Sequence, residues 1–459
     1  MTDALLTALS DIVGQENLLT SRADCIAYGY DNSKLQGIAL AVVLPQSADQ
    51  VQQIIRHCHD AKTPLTARGR GTGTTGATVP TSNGLVISFE RMNRILEIDP
   101  GNRIARVEPG VLNQTLQDAL AKQGFFWPPD PTSAASCTIG GNLAYNSAGP
   151  RAVKYGTPRE NTLGLTAVTG NGEILKTGVS TTKGVVGYDL TRLLIGSEGT
   201  LAVITEATLK IQPLSEAKRT MQAGFASING AAQAVSAVMA QPVIPCSLEI
   251  MDQAAINMVR DYSDLGLADG INAILMIEVD GTAKSLDEAA NAIKQACSNA
   301  DLVSFDIANT QESVEKLWKT RKALSPALRK IAPQKINEDV VVPVSNIPAL
   351  IEGLQKISTQ YGIQIVNFGH AGNGNLHVNL LINPDNPQHS QNKDACLAAV
   401  FELVLSLNGT LSGEHGVGLV KRDYVKLELD KVALQLMHAI KRQFDPANIL
   451  NPGKTLPDL

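Results

Sequence analysis

Two short stretches concentrate the side chains best able to do chemistry. The first is GHAGNGNLHVN, residues 369–379, which carries His370 and His377. The apolar run IQIVNFG leads into it and LHVNLLI follows, with Asn373-Gly374 between them, a hairpin-type signal. A hairpin brings both imidazoles to its mouth, close enough for one ion. In the second strand His377 and Asn379 share a face by the period of two. The other stretch is LSGEHGVG, residues 411–418, where Gly413 and Gly416 flank Glu414 and His415 and let the backbone bend tightly. Neighbouring side chains of an extended segment point different ways, so one can bind a metal while the other faces a substrate. Two His and one Glu make an N₂O ligand set with open positions, suited to Zn²⁺ and also to Mn²⁺ or Fe²⁺. His57, His59, His389 and His438 sit in no such constellation.

A separate chemistry is written in RGRGTGTTGA, residues 68–77, just after a strand that contains Leu65. Gly69, Gly71, Gly73 and Gly76 let the backbone turn sharply and point N–H groups inward, a nest that favours an anion such as a diphosphate. Thr72, Thr74 and Thr75 can add hydroxyl donors, and Arg68 and Arg70 can add charge. The loop lacks the Gly-Lys-Ser/Thr ending of a P-loop, and no helical pattern starts there as a Rossmann fingerprint requires. Two more small-residue loops, 128–149 and 194–206, would let backbone approach a flat ligand closely.

The elements that must position these groups follow from periodicity. IALAVVL (38–44) reads as a buried strand, a helix capped by Ser47 follows with Val51, Ile54 and Ile55 on one face, and PLTARG reads as a second strand. That β-α-β opening implies a parallel pair. Strands recur between 84 and 108 and again between 163 and 211, and residues 128–150 read as a functional loop or loop-helix. From 216 to 405 helices (231–240, 285–297, 347–359) alternate with strands, an α+β pattern with an antiparallel sheet. Residues 419–443 read as one amphipathic helix with Val432, Leu436 and Ile440 on a face, ending before Asp445-Pro446.

Composition excludes some classes. With 44% hydrophobic and 18% charged residues in 459, the chain can bury a core and is not a disordered one. A formal net charge of -5 without a basic tract argues against a nucleic-acid partner. The six Cys show no short-range pairing and read as scattered reduced thiols. The N-terminus reads as an amphipathic helix interrupted by Asp3 and Asp11, not a signal peptide, so a cytoplasmic protein is expected; peripheral attachment at the inner membrane face and a homodimer stay open.

From about residue 38 to Lys454 these motifs occur in the order of a known family. The chain resembles the flavoproteins of the vanillyl-alcohol oxidase type, and within them the D-2-hydroxy-acid dehydrogenases. These include D-lactate dehydrogenase of the cytochrome or quinone-linked type, the glycolate oxidase flavin subunit and D-2-hydroxyglutarate dehydrogenase. The resemblance implies an α+β protein. Its FAD-binding domain (1–215) is the two-part PCMH type, followed by an α+β cap domain with an antiparallel sheet (216–410). A C-terminal segment (411–459) carries the Glu-His motif back to the FAD domain. Arg68, Gly69, Arg70, Gly71, Thr72 and Gly73 match the loop that holds the FAD diphosphate. Pro129, Ser136, Thr138, Gly140, Gly141 and Asn142 match the loop along the ribityl and isoalloxazine portions, and Gly199 and Ile204 match the segment on the flavin's far side. No His lies in the diphosphate loop, so non-covalent FAD is expected, with Cys137 the only thiol near the flavin.

His370, His377 and Glu414 match the family's metal ligands, His415 its catalytic base, Asn379 a substrate contact, and Arg321 its carboxylate-binding Arg. Such a guanidinium grips a carboxylate with two hydrogen bonds. The implied reaction is oxidation of a small D-2-hydroxy acid, D-lactate first, to the 2-keto acid. A divalent metal, zinc in the first place, lowers the pKa of the C2 hydroxyl, His415 takes its proton, and hydride passes to flavin N5. No haem or iron–sulfur motif is present, so the electron acceptor is external: a quinone, a cytochrome, an electron-transfer flavoprotein or oxygen. The mitochondrial D-2-hydroxyglutarate dehydrogenases carry a Lys two residues before the Asp of KINEDVVVP (335–343). Here that place is Asn337, with Lys335 two residues earlier. Three other readings compete: a metal hydrolase without flavin, a non-catalytic subunit on a flavoenzyme scaffold, and a reductase of the kind that makes UDP-N-acetylmuramate. The first leaves the glycine loops without a role, and the other two leave the His, His and Glu-His motifs without one.

Overall fold

A computed structural model describes residues 2–260, 267–308, 310–315, 317, 318, 328 and 334–459. The chain divides into two units. One comprises residues 1–149, 156–214 and 414–459; the other comprises 150–155 and 215–413.

The first unit holds a mixed sheet of β1 (Leu18–Leu19), β2 (Ala41–Val43), β3 (Leu65–Arg68) and β4 (Leu85–Ser88). The β-α-β opening is parallel in sense, yet β2 and β3 are not neighbours: β4 lies between them and pairs in parallel with both. β2 and most of β4 are continuous apolar runs, as strands covered on both faces require, while β3 carries Thr66 and Arg68. Val51, Ile54, Ile55 and Cys58 of the helix Ala48–Ala61 join Val43, Leu65, Leu85 and Ile87 in one core. Ser47 caps that helix by accepting from the Gln50 N–H.

A five-stranded antiparallel sheet completes this unit with β5 (Ile95–Asp99), β6 (Ile104–Val107), β8 (Thr162–Thr169), β9 (Ile174–Gly178) and β10 (Ala202–Lys210), in the order β5-β6-β10-β8-β9. A short ladder joins β7 (Phe125–Phe126) to β11 (Gln212–Pro213). The segment 128–150 is not loop throughout. Thr138 accepts from the Gly141 N–H and caps a helix, Ile139–Tyr145, whose Ile139 and Leu143 enter the second core of the unit.

The expected single helix over 419–443 is broken. A 3-10 turn (Arg422–Tyr424) and a short helix (Val425–Glu428) precede the helix Lys431–Phe444, because Leu429 is extended and Asp430 caps a new start by accepting from the Ala433 N–H. Its buried stripe is also displaced. Leu434 is buried and Ile440 and Phe444 pack on the second core, whereas Val432 and Leu436 are 64% and 60% exposed.

The second unit is built on a seven-stranded antiparallel sheet. Its strands are β12 (Ala217–Phe225), β13 (Ser247–Met251), β14 (Ala273–Gly281), β15 (Leu302–Ile307), β16 (Gln334–Val341), β17 (Gln364–His370) and β18 (Asn375–Ile382), in the order β15-β12-β14-β13-β17-β18-β16. Side chains alternate between faces. One face carries buried Leu248, Ile250, Leu275, Ile277, Leu376, Val378 and Leu380. The opposite face carries Glu249, His370, His377, Asn379, Asp339, Asn337 and Lys335. It also carries Met251, Ile274, Phe368 and Leu381, which pack under the helix Gln253–Arg260.

β17 and β18 form the expected hairpin, joined by a 3-10 turn at Ala371–Asn373 and by Gly374 at φ 72. A Cβ at Gly374 would meet the Val342 carbonyl oxygen at 1.9 Å, so both conformation and space exclude a side chain. The expected result of Gly374→Ala is a loss of more than about 1–2 kcal/mol of stability, read by chemical denaturation. An unchanged midpoint would mean that the turn does not fix the hairpin.

Candidate active site

The polar face of the second unit concentrates its chemistry where β13, β17, β18 and β16 lie side by side. Glu249 pairs with His370, His370 with Asn375, and Phe368 with His377, which lies opposite Asp339. The two imidazoles meet edge to face with ring centroids 5.2 Å apart. One ring nitrogen of each lies within 4.8 Å of the other, and the same limit relates His377 to an Asp339 carboxylate oxygen. Both rings are more than nine-tenths buried.

His370, Asp339, Asn375 and Asn379 each have a built hydrogen-bond partner. The His370 Nδ1 hydrogen-bonds to the Glu249 carboxylate, a pairing that fixes the ring. Asp339 accepts from Asn375 Nδ2 at 2.6 Å and from the Gly413 N–H at 2.9 Å. Asn379 is fully buried, and its Nδ2 donates to the carbonyls of Val366 and His377. Lys335 Nζ donates to Asn379 Oδ1 at 3.4 Å. Gly413 is the last residue of this unit, and the next in the chain is Glu414.

Within the first unit, Glu414 accepts from the Gly149 N–H at 2.7 Å. His415 Nε2 lies 3.9 Å from Glu414 Oε1, and the His415 carbonyl accepts from Thr75 Oγ1. The residues after it are held by Glu198, which accepts from the N–H groups of Val417 (2.5 Å) and Gly418 (2.7 Å) and from Thr455 Oγ1 (3.1 Å). Burial still raises the Glu198 pKa, although these donors and Lys454 oppose it. Burial likewise pushes Lys454 down to about 7; its Nζ donates to the carbonyls of Ala77 and Val79 and to Asn451.

Glu198 also lines a cleft confined to the first unit. Arg68, Gly69, Thr138, Gly140, Gly141, Gly199 and Ile204 share its walls, so all three small-residue loops converge there. A Cβ at Gly69 would come within 2.4 Å of Thr138 Oγ1, so the cleft needs glycine at that point. Arg70 lies in the adjoining cleft with Gly69 and Thr138 and pairs with Glu90 at 3.6 Å.

Other expected contacts fall elsewhere. The Arg68 guanidinium donates to the carbonyls of Tyr30 and Ala27 and lies beneath Gly71, bracing the loop from behind. Asn142 is buried against Asn113 and Cys137, Pro129 gives its carbonyl to Asn113, and Ser136 is exposed, so these three lie outside the cleft lining. Gly71, Thr72 and Gly73 also lie outside it; the carbonyls of Thr72 and Gly73 accept from Asn32. Arg321 lies outside the described residues.

Comparisons with known proteins bear on this arrangement. The model of the FAD binding domain matches residues 39–178, and that of the FAD linked oxidases, C-terminal domain, matches 214–455. The chain belongs to the FAD-linked oxidases. It is 40% identical to glycolate oxidase subunit GlcD of Bacillus subtilis over 97% of this chain and 95% of that protein. It is 36% identical to D-lactate dehydrogenase of Archaeoglobus fulgidus over 91% of each. Substrate-bound p-cresol methylhydroxylase shares the vanillyl-alcohol oxidase-type fold at a TM-score of 0.81 and 18% identity, over 99% of this chain and 97% of that one. This FAD-linked oxidase is therefore an FAD-dependent oxidoreductase. No helix among the described residues is long and apolar enough to cross a membrane.

Glu198, Glu249 and Asp339 were not singled out from the sequence. Glu198 lies within the small-residue loop 194–206 and Asp339 within KINEDVVVP, whereas nothing in the sequence marked Glu249. Replacing Glu198 with Ala strands two N–H groups and a hydroxyl, an expected cost of about 1–3 kcal/mol. Thermal unfolding and the flavin-to-protein absorbance ratio should both fall in Glu198→Ala. Full flavin retention would show that this carboxylate does not support the cleft.

Proposed function

We propose that this FAD-linked oxidase oxidises a small D-2-hydroxy acid, D-lactate in the first place, to the 2-keto acid and passes the electrons to an external acceptor. The observation that carries the reading is the Glu249-oriented pair His370 and His377 on the polar face of the antiparallel sheet. A carboxylate behind one imidazole and a second imidazole within ligand distance are what a divalent-cation site needs. Glu414 is proposed as the third ligand, a role its covalent link to Gly413 makes accessible.

A divalent ion at these residues, zinc in the first place, would supply a Lewis acid for the substrate's C2 oxygen, and the bound flavin would supply the two-electron acceptor for hydride leaving C2. His415 takes the hydroxyl proton, the step suited to an imidazole. Arg321 holds the substrate carboxylate by paired hydrogen bonds. The acceptor is a quinone, a cytochrome or an electron-transfer flavoprotein. Peripheral attachment at the inner membrane face and a homodimeric state belong to the same proposal. Glycolate is the second reading, favoured by the 40% identity to a glycolate oxidase subunit.

Anaerobic mixing of the flavin-loaded protein with D-lactate, L-lactate, glycolate and D-2-hydroxyglutarate tests both readings. D-lactate is expected to bleach the flavin faster than L-lactate, and chelation of the metal is expected to slow bleaching by at least roughly 100-fold. Bleaching by the L-isomer alone would refute the stereochemical assignment, and bleaching indifferent to chelator would remove the metal from the reaction.

A further inference from the structure

The chain enters the second unit first as the short segment Pro150–Tyr155, leaves it, and returns at Ser215. The end of that segment and the point of return are fastened to one carboxylate. Asp280, near the end of β14, accepts from Tyr155 Oη at 2.6 Å and from Ser215 Oγ at 2.9 Å. It also pairs with the Lys154 ammonium, which donates in addition to the Asp280 carbonyl at 3.0 Å. The Asp280 side chain is only 4% exposed. Burial opposes its ionisation, yet the Lys154, Tyr155 and Ser215 donors hold its pKa below the usual carboxylate value. None of these groups has a role in the reaction above.

The segment that Asp280 holds is packed on the imidazole hairpin. A Cβ at Gly372, in the turn between His370 and His377, would come within 2.4 Å of Val153 Cγ2. Glycine there lets the valine press directly on the backbone of the turn. Gly149, just before the segment, is fixed as well. It lies at φ 81, a Cβ on it would meet the Asp130 carbonyl oxygen at 2.3 Å, and its N–H donates to Glu414 at 2.7 Å. Only three residues of chain therefore lie between the donor to Glu414 and the valine on the turn.

We infer that Asp280 is a positioning residue for the proposed cation site. By holding Lys154, Tyr155 and Ser215 it fixes segment 150–155, which steadies the hairpin turn through Val153 and the donor to Glu414 through Gly149. The inference rests on the proposed reading of His370, His377 and Glu414 as ligands. Metal ligands must sit within about 0.2 Å of their places, so affinity responds to the groups that support them. Losing one such support typically weakens binding about 10- to 100-fold. Truncating Asp280 removes the acceptor that an ammonium and two hydroxyls share, so the end of the segment is released.

The test measures zinc affinity by competition with a chromophoric chelator on the flavin-loaded full chain. It compares wild type, Asp280→Ala, Lys154→Met and Ile293→Ala. Ile293 is fully buried in the helix Leu286–Cys297 of the same unit, and its truncation controls for lost stability alone. Asp280→Ala should weaken zinc roughly 10-fold or more, while Ile293→Ala stays within about twofold of wild type. Lys154→Met keeps both hydroxyl bonds and should weaken zinc roughly threefold or more, which decides the matter if Asp280→Ala does not fold. Zinc affinity in Asp280→Ala or Lys154→Met that falls no further than in Ile293→Ala would overturn the inference and leave the metal site standing. Wild-type protein that binds no zinc would overturn the parent reading and the inference with it.

Discussion

The period of two in an antiparallel strand is the constraint on which the site depends. β13, β17, β18 and β16 turn Glu249, His370, His377 and Asp339 to one face and Ile250, Leu376, Val378 and Val340 to the other. Four such strands side by side gather Glu249, His370, His377, Asp339, Asn379, Asn337 and Lys335 on one surface, although they come from three distant stretches of chain. A register slip of one residue on any strand would turn its polar groups into the apolar core. Gly374 protects the register at the hairpin, where a side chain has neither space nor a favourable φ. Burial then demands that each polar group be satisfied, and Glu249 behind His370, with Asn375 and Gly413 on Asp339, meets that demand.

The first unit solves a different problem. Small-residue loops that admit a flat cofactor cannot hold themselves in place by side-chain packing. Buried charges do it instead. Asp31 accepts from the Gly76 N–H, Arg68 braces the same loop through main-chain carbonyls, and Lys454 ties the carbonyls of Ala77 and Val79. Glu198 sits at φ 52 in the left-handed region, where an ordinary side chain is disfavoured; its carboxylate binds the segment after His415, and the residue also lines the cleft. In this unit the glycine-walled cleft and the loop bearing the proposed base are therefore fastened through one residue.

Local signals were the legible ones. The hairpin announced itself through Asn373-Gly374 between two apolar runs, and the glycine loops through their composition. The helix cap at Ser47 and the extent of the middle helices followed from spacing. Partners brought in by the sheet could not be read this way: Glu249 lies 121 residues from His370, and nothing near it in the chain marks it. The same holds for β4 between β2 and β3, since strand order in a sheet is decided by packing, not by chain order. Two local rules were overridden. Asp430 caps a helix that apolar periodicity alone would have run straight through, and Arg68, a charge expected beside an anion nest by sequence, faces main-chain carbonyls. Within the stretch read as a loop or loop-helix, Gly140 and Gly141 hid where the helix lies, and the cap at Thr138 starts it at Ile139.

The central claim is that this polar face holds one divalent cation through His370 and His377. Metal analysis with X-ray absorption on zinc-reconstituted protein measures it most directly. The account predicts one ion per chain with two imidazole nitrogens in its coordination shell, lost in His377→Ala and weakened roughly 10- to 100-fold in Glu249→Ala. A fully active protein with no stoichiometric metal, or an ion retained undiminished by His377→Ala, would contradict it.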